Sequence, residues 1–365
     1  MSEELEIVGL TKKMLRDFVI NNTLWKTDLA PMPRSKATWL ISNERISEDD
    51  YCGVLAYEGK KMVSFIYMFP DLINNKTKEG KKAYWMIDWW VIDKYKDSIL
   101  GTYIYNQAVK FAEKQVLIKG YTENVQEFYD KQPFTVIASR LRHTLFFSLD
   151  SSMLIGKFRF LKSVKFIIDG IDSIVGKTIR FINKKKLANR TKQLKYDFIN
   201  QLDSDTWSFI EPRCKNDLIL KTFNYVNWQL DNNQYLQLPI SKKTPYKNLQ
   251  TGISDNIHIH NLKIISDDKI IGFLSYVINY NEFNVKYFLV ENEKYYDLCV
   301  DVLMENLIKS KRNFMFTDDT KLSDNIKKRY FSLFIHKVLK KGLAHNDTKI
   351  DNDSVTMLNR DGHFY

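Results

Sequence analysis

Glycine and proline are scarce in this 365-residue chain, at 13 and 7. That scarcity excludes collagen-like and low-complexity architectures and argues against a glycine-looped dinucleotide fold. The three cysteines, Cys52, Cys214 and Cys299, stand far apart with no CxxC pair. Reduced, buried thiols are therefore expected, rather than a disulfide framework or a zinc site. No run of about 18 apolar residues occurs, so no segment reads as membrane-spanning. The opening MSEELEIVGL is acidic and lacks a basic stretch ahead of an apolar core, so no signal peptide is read there. These absences lead to the expectation of a cytoplasmic protein. GxSxG, HExxH and Walker patterns are missing as well.

What is present is enough apolar material for real cores: 44% of residues are hydrophobic and 14% aromatic. The length suits two domains of ordinary size. The net charge is +11, but it is concentrated. Residues 155–195 hold twelve Lys or Arg against Asp169 and Asp172, a net +10, so the rest of the chain is nearly neutral. At 100° per residue, Phe160, Leu161, Val164, Ile167, Ile168, Ile171, Ile174, Val175, Ile179 and Ile182 fall on one side of this segment. Lys162, Lys165, Lys177, Arg180 and Lys184 fall on the other with the two aspartates. The pattern predicts an amphipathic helix with a cationic face. It admits a solvated linker, an anionic membrane surface or, less favoured, nucleic acid, for which no recognisable module surrounds it.

In chain order, a helix is predicted over Thr11–Asn22 with Thr11 as N-cap. An irregular, aromatic-rich segment with Trp25 and Trp39 follows, and then a hairpin from Gly53 to Phe69. Next come the strand AYWMIDWWVI from Ala83, a helix over Thr102–Gln115 and the strand VLIKGY. A short helix over Asn124–Asp130 and the strand pair FTVIASRL and HTLFFSL end the unit near Asp150. After Asp205 the order repeats at an offset of about 195–208 residues. MVSFIYM corresponds to IIGFLSYV, and the turn EGKK to SDDK. A strand NVKYFLV, a helix over Tyr296–Lys309 and a strand RNFMFT follow, and then a helix through Phe334, Val338 and Leu339 that ends at Gly342 as a C′ glycine.

The chemistry concentrates between Ala83 and Phe134. VIDKYKDSILGTYI runs from a strand end at Val91, past Lys96, Asp97, Ser98, Ile99 and Leu100, to Gly101 and Thr102 at a helix start. Backbone N–H groups at a helix N-terminus, backed by the helix dipole, hold phosphate groups. Asn124, Phe128-Tyr129, Lys131 and Phe134 follow the next strand. Together these segments resemble the GNAT superfamily of acyl-coenzyme A-dependent N-acyltransferases, in a tandem-duplicated form. Ile99 stands at the family's first glycine and Pro133 at a later one, and a β-branched residue takes φ > 0 poorly.

The resemblance implies an α/β fold: two tandem GNAT-like domains, each a mixed sheet flanked by helices, joined by the basic amphipathic segment. The boundaries read 1–152, 153–200 and 201–365. It implies acetyl-coenzyme A or another acyl-coenzyme A as co-substrate, held by Val91, Lys96 to Thr102 and Asn124. Tyr129 would be the acid for the departing thiolate. Asp88 would be the base, directed away from Ile87 and Trp89 by strand alternation and desolvated among Trp85, Trp89 and Trp90. The second copy has no glycine before its helix, and Leu333 and Val338 match Asn124 and Tyr129, so it is expected to keep the scaffold without the site. His258 and His260 form an H-x-H pair with no third ligand nearby, so no metal is expected. The acceptor implied is a small amine. An amino sugar of surface-glycan assembly fits the basic helix, with the protein peripheral at the inner face of the membrane. Two other readings stand beside this one: an aminoacyl-tRNA-dependent transferase of the Fem type, and an inactive membrane-associated binding protein.

Overall fold

The structure, a computed structural model, describes residues 4–26, 30–75, 79–236 and 257–364, without the side chains of Asn124, Ser152, Lys157 and Arg159. The N-terminal part runs β1 (Leu5–Thr11), α1 (Lys12–Asn21), α2 (Arg34–Ile41), β2 (Tyr51–Glu58), β3 (Lys61–Ile73), β4 (Lys81–Val91), α3 (Leu100–Phe111), β5 (Val116–Ile118) and α4 (Gln126–Asp130). Then come β6 (Phe134–Phe146), α5 (Ser151–Lys157), α6 (Lys165–Leu187), β7 (Lys195–Phe198), α7 (Ser204–Cys214) and α8 (Phe223–Gln229). The chain ends with β8 (His258–Ser266), β9 (Lys269–Asn279), β10 (Glu282–Val290), α9 (Glu293–Ser310), β11 (Phe314–Thr317), α10 (Thr320–Arg329) and β12 (Phe334–His345).

Two compact units result, and neither is continuous in sequence. Unit 1 is Met1–Arg140, Cys214–Asp255 and Lys340–Tyr365; unit 2 is Leu141–Arg213 and Asn256–Leu339. In the sheet of unit 1 the order is β1-β2-β3-β4-β5, then residues 340–345 of β12 and 134–140 of β6; in that of unit 2 it is residues 334–339 of β12 and 141–146 of β6, then β11-β10-β9-β8-β7. Each sheet is mixed: β4 and β5 pair parallel, as do β10 and β11, and the other described neighbours are antiparallel. The α/β architecture expected from the GNAT resemblance is therefore present in each unit.

Local chemistry explains most of these elements. Thr11 Oγ1 accepts the Met14 amide at 3.2 Å and starts α1. Asp267 and Asp268 both take positive φ (49° and 58°), the geometry of a two-residue hairpin turn, and join β8 to β9. The predicted hairpin Gly53–Phe69 is β2–β3. Three readings are corrected. FTVIASRL and HTLFFSL belong to one 13-residue strand, β6. The irregular tryptophan segment includes helix α2, with residues 27–29 outside the described residues.

The third correction concerns the helix read through Phe334 to Gly342, which is β12. Strand β5 is three residues long and its far edge needs a partner; Leu343 and Ala344 pair there with Ile118 and Leu117. Gly342 permits close approach rather than a helix end, since a Cβ on it would stand 2.3 Å from Met357 Sδ.

The linear boundaries at 152 and 200 also differ from the units. Residues 214–236 dock on unit 1 by backbone bonds, Asn74 N–H to Leu218 O (2.8 Å) and Leu220 N–H to Leu72 O (2.9 Å). Buried ion pairs fix the C-terminal tail beside them: Lys221 Nζ lies 3.2 Å from Asp361, and Arg360 Nε 2.7 Å from Asp217. The basic helix is not a linker. It is α6 of unit 2, where Ile179 and Leu187 join the core with Val300, Leu303 and Leu307 of α9.

Candidate functional site

The site begins where β4 leaves its neighbours. On one side β4 pairs with β3, but Phe65 faces Trp90 while Tyr67 faces Ile87, so Asp88 and Trp89 together oppose Ile66. This is a β-bulge, and Asp88 takes the left-handed conformation at φ 50°. On the other side β4 pairs with β5 only at Tyr84↔Val116 and Trp85↔Leu117. Among the described residues β4 and β5 pair no further than Trp85 and Leu117, so the two strands part there and leave a gap beside the end of β4. An extended amide-containing ligand can pair with such an edge as an added strand would.

Helix α3 closes one end of this gap. Its N-cap is Ile99, with φ −72° and ψ −6°. The predicted conflict between a β-branched residue and positive φ does not arise, and the Ile99 side chain is 84% exposed. Ser98 Oγ accepts the Leu100 amide at 3.2 Å, and the Tyr103 amide makes the first helical bond to Ile99 O at 2.9 Å. The amides of Gly101 and Thr102 lie between, with no acceptor among the described residues. Gly101 is needed for space: a Cβ there would stand 3.2 Å from Val91 Cγ2 and 3.3 Å from Trp89 Cζ2. Leu100 turns its side chain into the core, and Asp97, Ser98 and Thr102 are exposed. Lys96 is held in an ion pair with Asp93, and Lys94 with Glu58 at 2.6 Å, so nearby acids offset both cations.

Tyr129 of α4 belongs to an aromatic cluster that reaches the bulge. Its ring lies 5.1 Å from Tyr121, 6.2 Å from Tyr105 and 6.0 Å from Phe134. Phe128 beside it packs 5.0 Å from Trp89. Burial, with a smaller contribution from Tyr121, pushes the Tyr129 phenol up to about 12, so it is a held proton donor at neutral pH. Val91, the Lys96–Thr102 turn, Asp88 and Tyr129 thus all belong to one end of unit 1. The Asn124 side chain lies outside the described residues.

Asp88 keeps contact with solvent, yet the protein around it is dense enough that desolvation raises its carboxyl above the ordinary value. The opposing influence is Lys36 of α2. Strand alternation does not set the direction of Asp88, because the bulge interrupts it. Lys36 is 6% exposed, and burial pulls its ammonium down to about 8 against the pull of Asp88. Its Nζ stands 5.8 Å from the Trp39 ring. Trp39 stacks on Trp228 at 4.0 Å, and each indole N–H donates to the other's backbone carbonyl, at 2.7 and 2.6 Å. The Tyr67 hydroxyl, whose ionisation is opposed chiefly by burial and least by Asp88, is buried without a partner among the described residues, as are Trp89 Nε1 and Tyr105 Oη. Lys36 and Tyr67 join the candidate site through Asp88, and the sequence reading missed both. No local signal marks Lys36, which follows Arg34 and Ser35 in a mixed stretch.

Unit 2 repeats the scaffold with different chemistry. Its strand β10, which like β4 follows a hairpin and precedes a helix, is also irregular, at Lys286. Before α9, Asn292 caps its own helix by accepting the Lys294 amide at 3.0 Å, and Glu293 puts a negative charge in the first turn. Five residues ahead of β12 stands Arg329, as Tyr129 stands ahead of β6, and it is bound to Asp297 and Asp301. Leu333 and Val338 therefore do not occupy the positions of Asn124 and Tyr129. His258 and His260 approach to 4.6 Å between ring centroids, and among the described residues no group of three or more His, Cys, Asp or Glu could hold a metal ion.

No family model and no curated protein matches this sequence. Solved structures similar to this one include a GCN5-related N-acetyltransferase from Kribbella flavida, at 9% identity and TM-score 0.48, covering 94% of this chain and 71% of that one. Another is a GCN5-related N-acetyltransferase from Anabaena variabilis, at 6% identity and TM-score 0.48, covering 93% and 72%. The Saccharomyces cerevisiae N-myristoyltransferase with bound myristoyl-CoA is similar at 13% identity and TM-score 0.49, covering 98% and 85%. The assignment of the fold rests on the chain's own strand order.

Proposed function

We propose that unit 1 is an acyl-coenzyme A-dependent N-acyltransferase that takes a small amine as acceptor, with acetyl as the expected acyl group. The observation that carries this reading is the gap beside residues 86–91, flanked by the bulge at Asp88 and the start of α3. Coenzyme A fits what is there. Its amide-bearing arm suits the side of β4 from which β5 parts beyond Trp85, and its pyrophosphate suits the amides of Gly101 and Thr102 at the start of α3. Val91 and the Lys96–Thr102 turn would line that end; Asn124 is carried over from the sequence resemblance alone.

In the reaction the Asp88 carboxylate accepts a proton from the incoming ammonium, and the amine nitrogen then bonds to the thioester carbonyl carbon. The carbon–sulfur bond breaks, the Tyr129 hydroxyl gives its proton to the departing thiolate, and the acylated nitrogen releases its second proton to solvent, from which the tyrosine is reprotonated. A raised carboxyl pKa suits the first transfer, and a phenol kept protonated suits the second. The finer reading is an amino sugar of surface-glycan assembly, acylated at the cytoplasmic face of a membrane; it draws on the exposed basic helix of unit 2.

Titration calorimetry with acetyl-coenzyme A tests the proposal directly. Saturable binding is expected, and absence of heat at millimolar ligand would sink it and favour an inactive scaffold. Tyr129→Phe should retain that binding while kcat falls about 100-fold, within the range of a lost general acid.

A further inference from the structure

Helix α6 buries the wrong side of itself for an ordinary surface helix. Against unit 2 it places Asp172, Gly176, Ile179, Asn183 and Leu187, which recur at helical spacing. Polar bonds fix this side: Asp172 accepts the Leu149 and Ser151 amides at 2.8 and 2.9 Å. Asn183 exchanges two 2.8 Å bonds with the Phe331 backbone. The opposite side carries Ile167, Ile171, Ile174 and Phe181, which are 60, 49, 67 and 58% exposed. Phe160 and Phe166 extend this stripe at the N-terminal end, 75 and 91% exposed.

Cations rim the stripe. Lys177 and Lys184 flank it on one side, Lys162 lies at its start, and the Lys185 ammonium stands 4.5 Å over the Phe181 ring. The only acids in the segment are engaged, Asp169 with Lys165 and Asp172 with backbone amides. Soluble proteins rarely leave such a contiguous apolar strip uncovered.

We propose that α6, with the residues leading into it from Phe160, seats unit 2 on an anionic membrane surface. At 1.5 Å per residue α6 is about 35 Å long, and lying flat it would sink its isoleucine and phenylalanine side chains about 5–10 Å past the headgroups. The lysine rim would meet anionic phosphates. No described helix is long and apolar enough to cross a bilayer, so the contact is peripheral. A second copy is a poor occupant, because two rims of the same sign would face each other at close range.

The test uses the full chain and flotation with large unilamellar vesicles, either pure phosphatidylcholine or phosphatidylcholine with about 30% phosphatidylglycerol. Binding to the anionic vesicles should be about tenfold tighter and should weaken as salt rises. Ile171→Glu combined with Ile174→Glu should abolish it without moving the thermal midpoint, because both positions are solvent-facing. Since Cys52, Cys214 and Cys299 are buried, an environment-sensitive label on Ile174→Cys reports insertion selectively, and its emission should shift to the blue on anionic vesicles. Indifference to lipid charge, or no binding to either vesicle, would overturn the proposal. So would lipid-free self-association that the double glutamate variant removes.

Discussion

Lys36 and Asp88 act on each other's ionisation across the site, and their signs make a testable pH dependence. Desolvation raises the Asp88 carboxyl, and the Lys36 ammonium restrains that rise. If the carboxylate is the working base, kcat/KM rises with pH as Asp88 ionises. Lys36→Met removes the restraining cation, so the acidic limb of the profile should move to higher pH. A second inflection near the depressed lysine value of about 8 should vanish in the same variant. A pH–rate profile of the two proteins checks both, and superimposable profiles would separate Lys36 from the chemistry. The pair also shows what a sequence hides. The carboxylate was legible as a candidate because it sits among tryptophans. Its direction was not, because one extra residue in β4 cancels the alternation on which direction was argued. Lys36 was invisible because its meaning depends on a partner in a different element.

At the scale of elements, the βα turn at Gly101 ties packing to binding. A valine there would press its branches on Val91 and Trp89, where even a Cβ stands at 3.2–3.3 Å. Gly101→Val should cost roughly 1–3 kcal/mol, the usual penalty of overpacking. Denaturant midpoints measure it, and α3 pushed off β4 should weaken acetyl-coenzyme A binding in parallel. Elements with strong local signals were readable: the Thr11 cap, both hairpins and the strand from Ala83. Strand β12 was not, since FIHKVLKKGL carries apolar residues at spacings that suit a helix, and its place between β5 and β6 decides otherwise. The basic helix was read correctly as amphipathic, but which side faces the protein is decided by Asp172 and Asn183, through bonds that periodicity does not encode.

For the whole molecule, the consequential fact is that unit 1 is made of three separated stretches. Residues 1–152 lack the partner strand for β5 and the buried pairs of Lys221 and Arg360. That fragment, expressed alone, should show no cooperative thermal transition by circular dichroism, whereas the full chain should; a sharp transition in the fragment would contradict the division. The repeated order of elements was legible from the sequence. The discontinuity was not, because it depends on which copy each returning strand joins.

The same discontinuity sets a clock. Translation at about 5–20 residues per second delivers residues 340–365 on the order of tens of seconds after the strands they complete. Until then β4 and β5 wait with an open edge, and the bulge and turn around Asp88 and Gly101 have no finished sheet to hold them. Under the proposed function, a chain stopped before residue 340 would carry every residue assigned to the reaction without the strand that completes their sheet.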